Sequence, residues 1–126
     1  MRLDSVMLYV KDFPAMRKFY QKMLRTPPVN TEWTDTWALF DLGGVRFALH
    51  AIPEEYAAQI EISSPPKARE NDPVKLIFAV DNLQGEKSRL EALGGTLIQR
   101  PWQGPATECD FMDPEGNVFR ISSVAP

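Results

Sequence analysis

The stretch Asp113-Pro114-Glu115-Gly116-Asn117-Val118-Phe119 decides how this chain is read. Asp, Pro and Gly within four residues make a turn: proline presets φ, aspartate bonds nearby backbone, and glycine accepts a positive φ. Strand-like composition flanks it, Thr107–Met112 before and Asn117–Ser122 after. Further back, Pro101–Pro105 reads as a loop and Thr96–Gln99 as another strand. Gly94-Gly95 closes a helix whose apolar positions are Leu83, Leu90 and Leu93, capped at its start by Asp81 or Asn82. Before that helix, Val74–Val80 alternates, with Val74, Leu76, Phe78 and Val80 on one face and Lys75, Ile77 and Ala79 on the other.

The same order of elements precedes it. Leu3–Val10 alternates, Val6, Leu8 and Val10 against Ser5, Met7 and Tyr9, as a half-buried strand does. Asp12 offers a helix cap and Pro14 an early helical position. Met16, Phe19, Tyr20 and Met23 then form an apolar stripe, and Pro27-Pro28 stop the helix. Val29–Trp33 and Thr36–Leu42 read as strands joined near Thr34-Asp35, and Gly43-Gly44 turns into a strand Val45–Ala51. Strand–helix–strand–strand–strand thus occurs twice, about seventy residues apart. The expected organisation is one α+β domain over 1–126, with module one at 1–52, a connector at 53–73 and module two at 74–126. A short helical turn is expected around Glu54–Ala58 in the connector. The apolar face of each first strand packs on its helix, which leaves the other face of each sheet to a cavity or a partner chain.

Composition bounds the function. The 126 residues are 44% hydrophobic and 25% charged, ordinary for a globular protein. A net charge of −3 argues against a nucleic-acid binder, whose footprint is a basic patch. No apolar run approaches the roughly 20 residues that span a bilayer, and the N-terminal segment does not read as a signal peptide, so a cytoplasmic protein without membrane partners is expected. A single cysteine, Cys109, excludes an intrachain disulfide. Flanked by Glu108 and Asp110, it reads as a small packed hydrophobe rather than a reactive thiolate.

Three stretches carry a resemblance. Val6-Met7-Leu8-Tyr9-Val10-Lys11-Asp12 followed by Phe19-Tyr20, then Phe78-Ala79-Val80-Asp81 before Leu93-Gly94-Gly95, and above all the Asp113–Phe119 turn, resemble the glyoxalase/bleomycin-resistance (vicinal oxygen chelate) superfamily. The resemblance implies two tandem βαβββ modules forming a half-open curved sheet or barrel, and a homodimer. It also implies a cleft which, in the enzymes of the family, holds one divalent metal. The metal-ligand positions correspond here to Ser5, Lys75, Arg120 and, on the strand Val45–Ala51, His50 or Ala48. Only His50 is a ligand type; a guanidinium cannot ligate a cation and an ammonium repels one. No metal and no cofactor are therefore expected.

Alternation puts Ser5, Lys75, Arg120, His50 and Arg46 opposite the helix-packing residues, so all five are candidates to face a ligand. A cluster of His50, Arg46, Lys75 and Arg120 would suit an anion. The alternative is that Lys75 reaches solvent and Arg120 pairs with Glu108, Asp110 or a similar neighbour. Trp33, Trp37 and Trp102 are candidates for an aromatic rim, with Tyr9 and Phe111 near the floor, although tryptophans are more often core or dimer contacts. His50 as a general base competes with a structural role. Three functions follow: a metal-independent binder of an anionic or aromatic small molecule, a metal-dependent glyoxalase-like lyase or dioxygenase, or a non-catalytic association module. The scarcity of histidine favours the first and weighs against an enzyme.

Overall fold

A computed structural model describes residues 1–101 and 107–123. These fall into two compact units, Met1–Glu61 and a second beginning at Ile62. The secondary structure is α+β throughout.

In the first unit, β1 (Ser5–Val10) leads into α1 (Phe13–Leu24), followed by β2 (Trp37–Asp41), β3 (Arg46–Ala51) and a one-turn helix α2 (Glu54–Ala57). The cap is the expected one: the Asp12 carboxylate accepts from the Ala15 amide. The helix ends before the prolines, at Arg25, whose left-handed backbone closes the last turn onto the Lys22 carbonyl. Phe13, Met16, Phe19, Tyr20 and Met23 are buried at three- and four-residue spacing, and Tyr20 meets Phe47 of β3 at 5.0 Å between ring centroids. The sheet order is β1-β3-β2, with β1 parallel and β2 antiparallel to β3.

The expected strand over Val29–Trp33 does not form. Only Val29 donates a backbone hydrogen bond to β2, at the Leu39 carbonyl (2.7 Å). Asn30 then takes the place of a strand with its side chain, accepting from the Leu39 amide (3.0 Å) and donating to the Trp37 and Glu32 carbonyls (2.8 and 2.9 Å). Trp33 has a positive φ of 54° and its carbonyl receives the Thr36 and Trp37 amides, so the segment is already turning.

The second unit is a complete βαβββ module: β4 (Leu76–Ala79), α3 (Leu83–Leu93), β5 (Thr96–Ile98), β6 (Glu108–Met112) and β7 (Val118–Ser122), in the order β4-β7-β6-β5. Of the two cap candidates Asn82 is the one used, accepting from the Gly85 amide, and Gly94 closes the helix with a φ of 104°. Phe111 and Phe119, paired in register on β6 and β7, stack 6.1 Å apart in the core with Ile121 and Leu90.

The Asp113–Asn117 turn is built around one carboxylate. Asp113 is wholly buried and accepts from the Glu115 and Asn117 amides and the Asn117 side chain. Gly116 has a φ of 85°, and a Cβ there would overlap the Lys67 carbonyl oxygen. Connector residues thus dock on the turn, with the Arg69 amide donating to the Gly116 carbonyl (2.8 Å) and its guanidinium to Asn117 (3.2 Å).

Gly116→Ala meets both a forbidden φ and a backbone clash, so urea unfolding should show a loss of roughly 2–4 kcal/mol. Asn30→Ala removes the acceptor of the Leu39 amide, and hydrogen exchange at Leu39 should accelerate selectively relative to amides of β3.

Candidate functional site

In the first unit, strand register assembles one face. Across β1 and β3, Ser5 stands beside Arg46, Met7 beside Ala48 and Tyr9 beside His50; across β3 and β2, His50 stands beside Trp37 and Arg46 beside Asp41. All lie opposite the core residues Phe47 and Leu49. One row therefore crosses the sheet: Tyr9 and Trp37 flank the His50 ring at centroid distances of 5.5 and 5.7 Å, tilted 54° and 70°. Tyr9 is 54% exposed and Met7 beside it 43% exposed, while His50 and Trp37 are half-buried. His50 Nδ1 lies 2.7 Å from the Ala51 carbonyl oxygen. A carbonyl only accepts, so the neutral ring carries its proton on Nδ1 and presents Nε2 as a lone pair. At the other end of the face Arg46 pairs with Asp4, and that contact holds the Asp4 carboxyl below its usual range against a smaller desolvation.

In the second unit the face opposite Phe111 and Phe119 is organised by Asp110, in the middle of β6 and without solvent exposure. Lys75 Nζ donates to its Oδ2 at 2.9 Å, Arg100 Nε to the same oxygen at 3.1 Å, and Arg120 Nε to Oδ1 at 2.8 Å. Burial pushes the Asp110 carboxyl up, but the bonds from Arg120, Lys75 and Arg100 outweigh it, and the group is held below its ordinary value. The cations are matched further out. Glu70 takes both ends of the Arg100 guanidinium at 2.7 and 2.9 Å, and Glu108 lies 3.5 Å from Arg120. Burial raises the Cys109 thiol, in keeping with a packed cysteine.

Residues 5–122 match the model of the glyoxalase-like domain. The chain belongs to that family. Among solved structures it is similar to a glyoxalase/bleomycin resistance protein/dioxygenase family enzyme from Burkholderia phytofirmans, with 24% identity, 96% of this chain and 97% of that one covered, and a TM-score of 0.71. An integron cassette protein of V. cholerae shares 25% identity over 99% and 96% of the two chains, with a TM-score of 0.67. The fosfomycin resistance protein FosX of Listeria monocytogenes, in complex with Mn(II) and dihydroxypropylphosphonic acid, is similar at 16% identity, with 98% and 90% covered and a TM-score of 0.71. No curated protein matches the chain.

The divalent ion of the glyoxalase family's enzymes does not fit the residues here. Ser5 offers a neutral hydroxyl, and Lys75 and Arg120 are cations committed to Asp110. Among the described residues no three His, Cys, Asp or Glu side chains group so as to hold a metal. Nor is any helix among them long and apolar enough to cross a membrane.

The sequence candidates divide accordingly. Ser5, Tyr9, Trp37, Arg46 and His50 share the first unit's face, and Lys75 and Arg120 converge on Asp110 in the second. Phe111, expected near a cleft floor, is instead in the core, because its pairing with Phe119 puts it on the helix side. Trp33 stands in the turn before β2 and is 74% exposed. Trp102 lies outside the described residues. Sequence reasoning missed Arg100 and Glu70 altogether and took Asp110 only as an optional neighbour of Arg120. The available signal was a second acidic residue placed between Cys109 and Phe111, in the middle of the strand.

A folded-state pKa below the unfolded one makes Asp110 stabilising above about pH 4, with that stability lost as pH falls through the lower folded value. In urea titrations, Asp110→Asn should lower stability at pH 7 by roughly 3–5 kcal/mol, since three cations lose their shared anion. It should also flatten the wild-type decline below pH 4.

Proposed function

We propose that this glyoxalase-like protein is a metal-independent binder of a flat aromatic small molecule, held on the Tyr9–His50–Trp37 face of the first sheet. The observation that carries the reading is that row of rings, open to solvent at Tyr9 and Met7. Solvent-facing aromatic side chains on a rigid sheet give a planar ligand stacking area with few torsions to immobilise. The Nε2 lone pair of His50 supplies one directional contact, for a ligand hydroxyl or N–H. An anionic ligand has less to gain: Lys75, Arg100 and Arg120 already share Asp110, and Arg46 holds Asp4. A metal-dependent reaction lacks its donors at the corresponding positions.

A thermal-shift screen of planar aromatic compounds, each paired with its carboxylated analogue, tests this. Neutral members should raise the melting temperature of the wild type, with no effect of chelator, and lose that effect in Trp37→Ala, whereas any extra shift given by an acid that survives in Trp37→Ala does not arise on this face. Trp37→Ala and Tyr9→Ala should each weaken binding by about tenfold. The reading is overturned if those variants bind unchanged while Lys75→Ala abolishes binding, or if the purified protein carries one tightly held divalent ion per chain.

A further inference from the structure

The first unit has a second concavity that the aromatic face does not use. A groove of about 450 Å³ runs between the outer side of α1 and the Thr34-Asp35 turn. That falls within the roughly 300–1,000 Å³ of ordinary small-molecule sites. We propose that this groove binds the oxyanion of a small phosphorylated or carboxylated molecule, with Arg17 as its anchor.

Helical spacing builds the wall. The apolar stripe from Phe13 to Met23 goes into the core, so the intervening positions Arg17, Lys18, Gln21 and Lys22 are left on the groove side. Phe13 and Pro14 add apolar surface at the start of the helix. Three cations, Arg17, Lys18 and Lys22, line the groove against one carboxylate, Asp35. This local excess of positive charge stands out in a chain of net charge −3. Gln21 and Thr34 add neutral hydrogen-bonding groups.

Arg17 makes the groove more than a basic patch. Its Nε is buried and has no hydrogen-bond partner among the described residues. Buried donors without an acceptor are rare in folded proteins, because water has been surrendered and nothing has replaced it. A guanidinium pairs with carboxylate or phosphate through Nε–H and a neighbouring N–H side by side; the Nε is shielded as the side chain stands, and turning the guanidinium toward the groove lets an entering oxyanion supply the missing acceptor. Lys18, which is exposed, adds a mobile charge to the same anion. The groove shares no residue with the Tyr9–His50–Trp37 row, so the two sites stand or fall separately.

The test is an NMR titration of the labelled protein with inorganic phosphate and, separately, with succinate, at ionic strength held constant with sodium chloride. Saturable shifts are expected at the Arg17 Nε–H resonance and at the backbone amides of Lys18, Gln21 and Thr34. The anion that saturates at the lower concentration identifies phosphate or carboxylate as the ligand's group. Arg17→Lys keeps the charge and loses the fork, and should weaken binding about tenfold. Lys18→Ala, at an exposed position that does not threaten folding, should weaken it about threefold. Shifts at Arg17 that never saturate with either anion, or an affinity unchanged in both variants, would overturn the proposal.

Discussion

A carboxylate sealed from solvent must be met by positive charge or not be there at all, and Asp110 imposes that condition on the second sheet. Three segments answer it: Lys75 just before β4, Arg100 beyond β5 and Arg120 on β7. Each is anchored where the strand order β4-β7-β6-β5 brings it to β6. Glu70 and Glu108 then balance the outer ends of two of those cations. The result is a closed electrostatic unit of three cations and three carboxylates on one face of the second sheet. Such a unit favours one arrangement of the strands, because displacing any of the three cations leaves the buried Asp110 short of a partner.

This arrangement also explains why the two sheets differ in what they offer. On the second, polar groups satisfy one another. On the first, Ala38, Phe40, Phe47 and Leu49 fill the core beneath α1, and the opposite side carries rings, a methionine and an imidazole whose Nδ1 bonds the neighbouring backbone. The chain keeps the duplicated architecture of its family while assigning charge neutralisation to one half and exposed aromatic surface to the other.

Much of this was legible in the sequence. The Asp113–Asn117 turn, the Asp12 cap and the Gly94 stop each have a local chemistry that fixes the backbone regardless of context. Strand alternation correctly placed Ser5, Tyr9, Arg46 and His50 on one face, and Lys75 with Arg120 on another. What failed were features decided by partners far along the chain. Phe111 is apolar and Asp110 charged, yet Asp110 is on the ligand-type face and equally buried, which only the register with Arg120 and Phe119 reveals. Arg100 follows a strand that ends at Ile98, and nothing local announces that it folds back to Asp110. Val29–Trp33 has strand-like residues, but Asn30 satisfies the neighbouring backbone with an amide that a propensity argument reads as a loop signal.

The Asn30 clasp has a consequence for the behaviour of the molecule in crowded solution. An outermost strand with free amides and carbonyls is a template on which another chain can add itself. Along Trp37–Leu39, the groups that would recruit such a visitor are already occupied by Val29 and by the side chain of Asn30. The protein thus closes the β2 border of that sheet without the extra strand, which leaves fewer free backbone groups beside the aromatic surface for another chain to pair with.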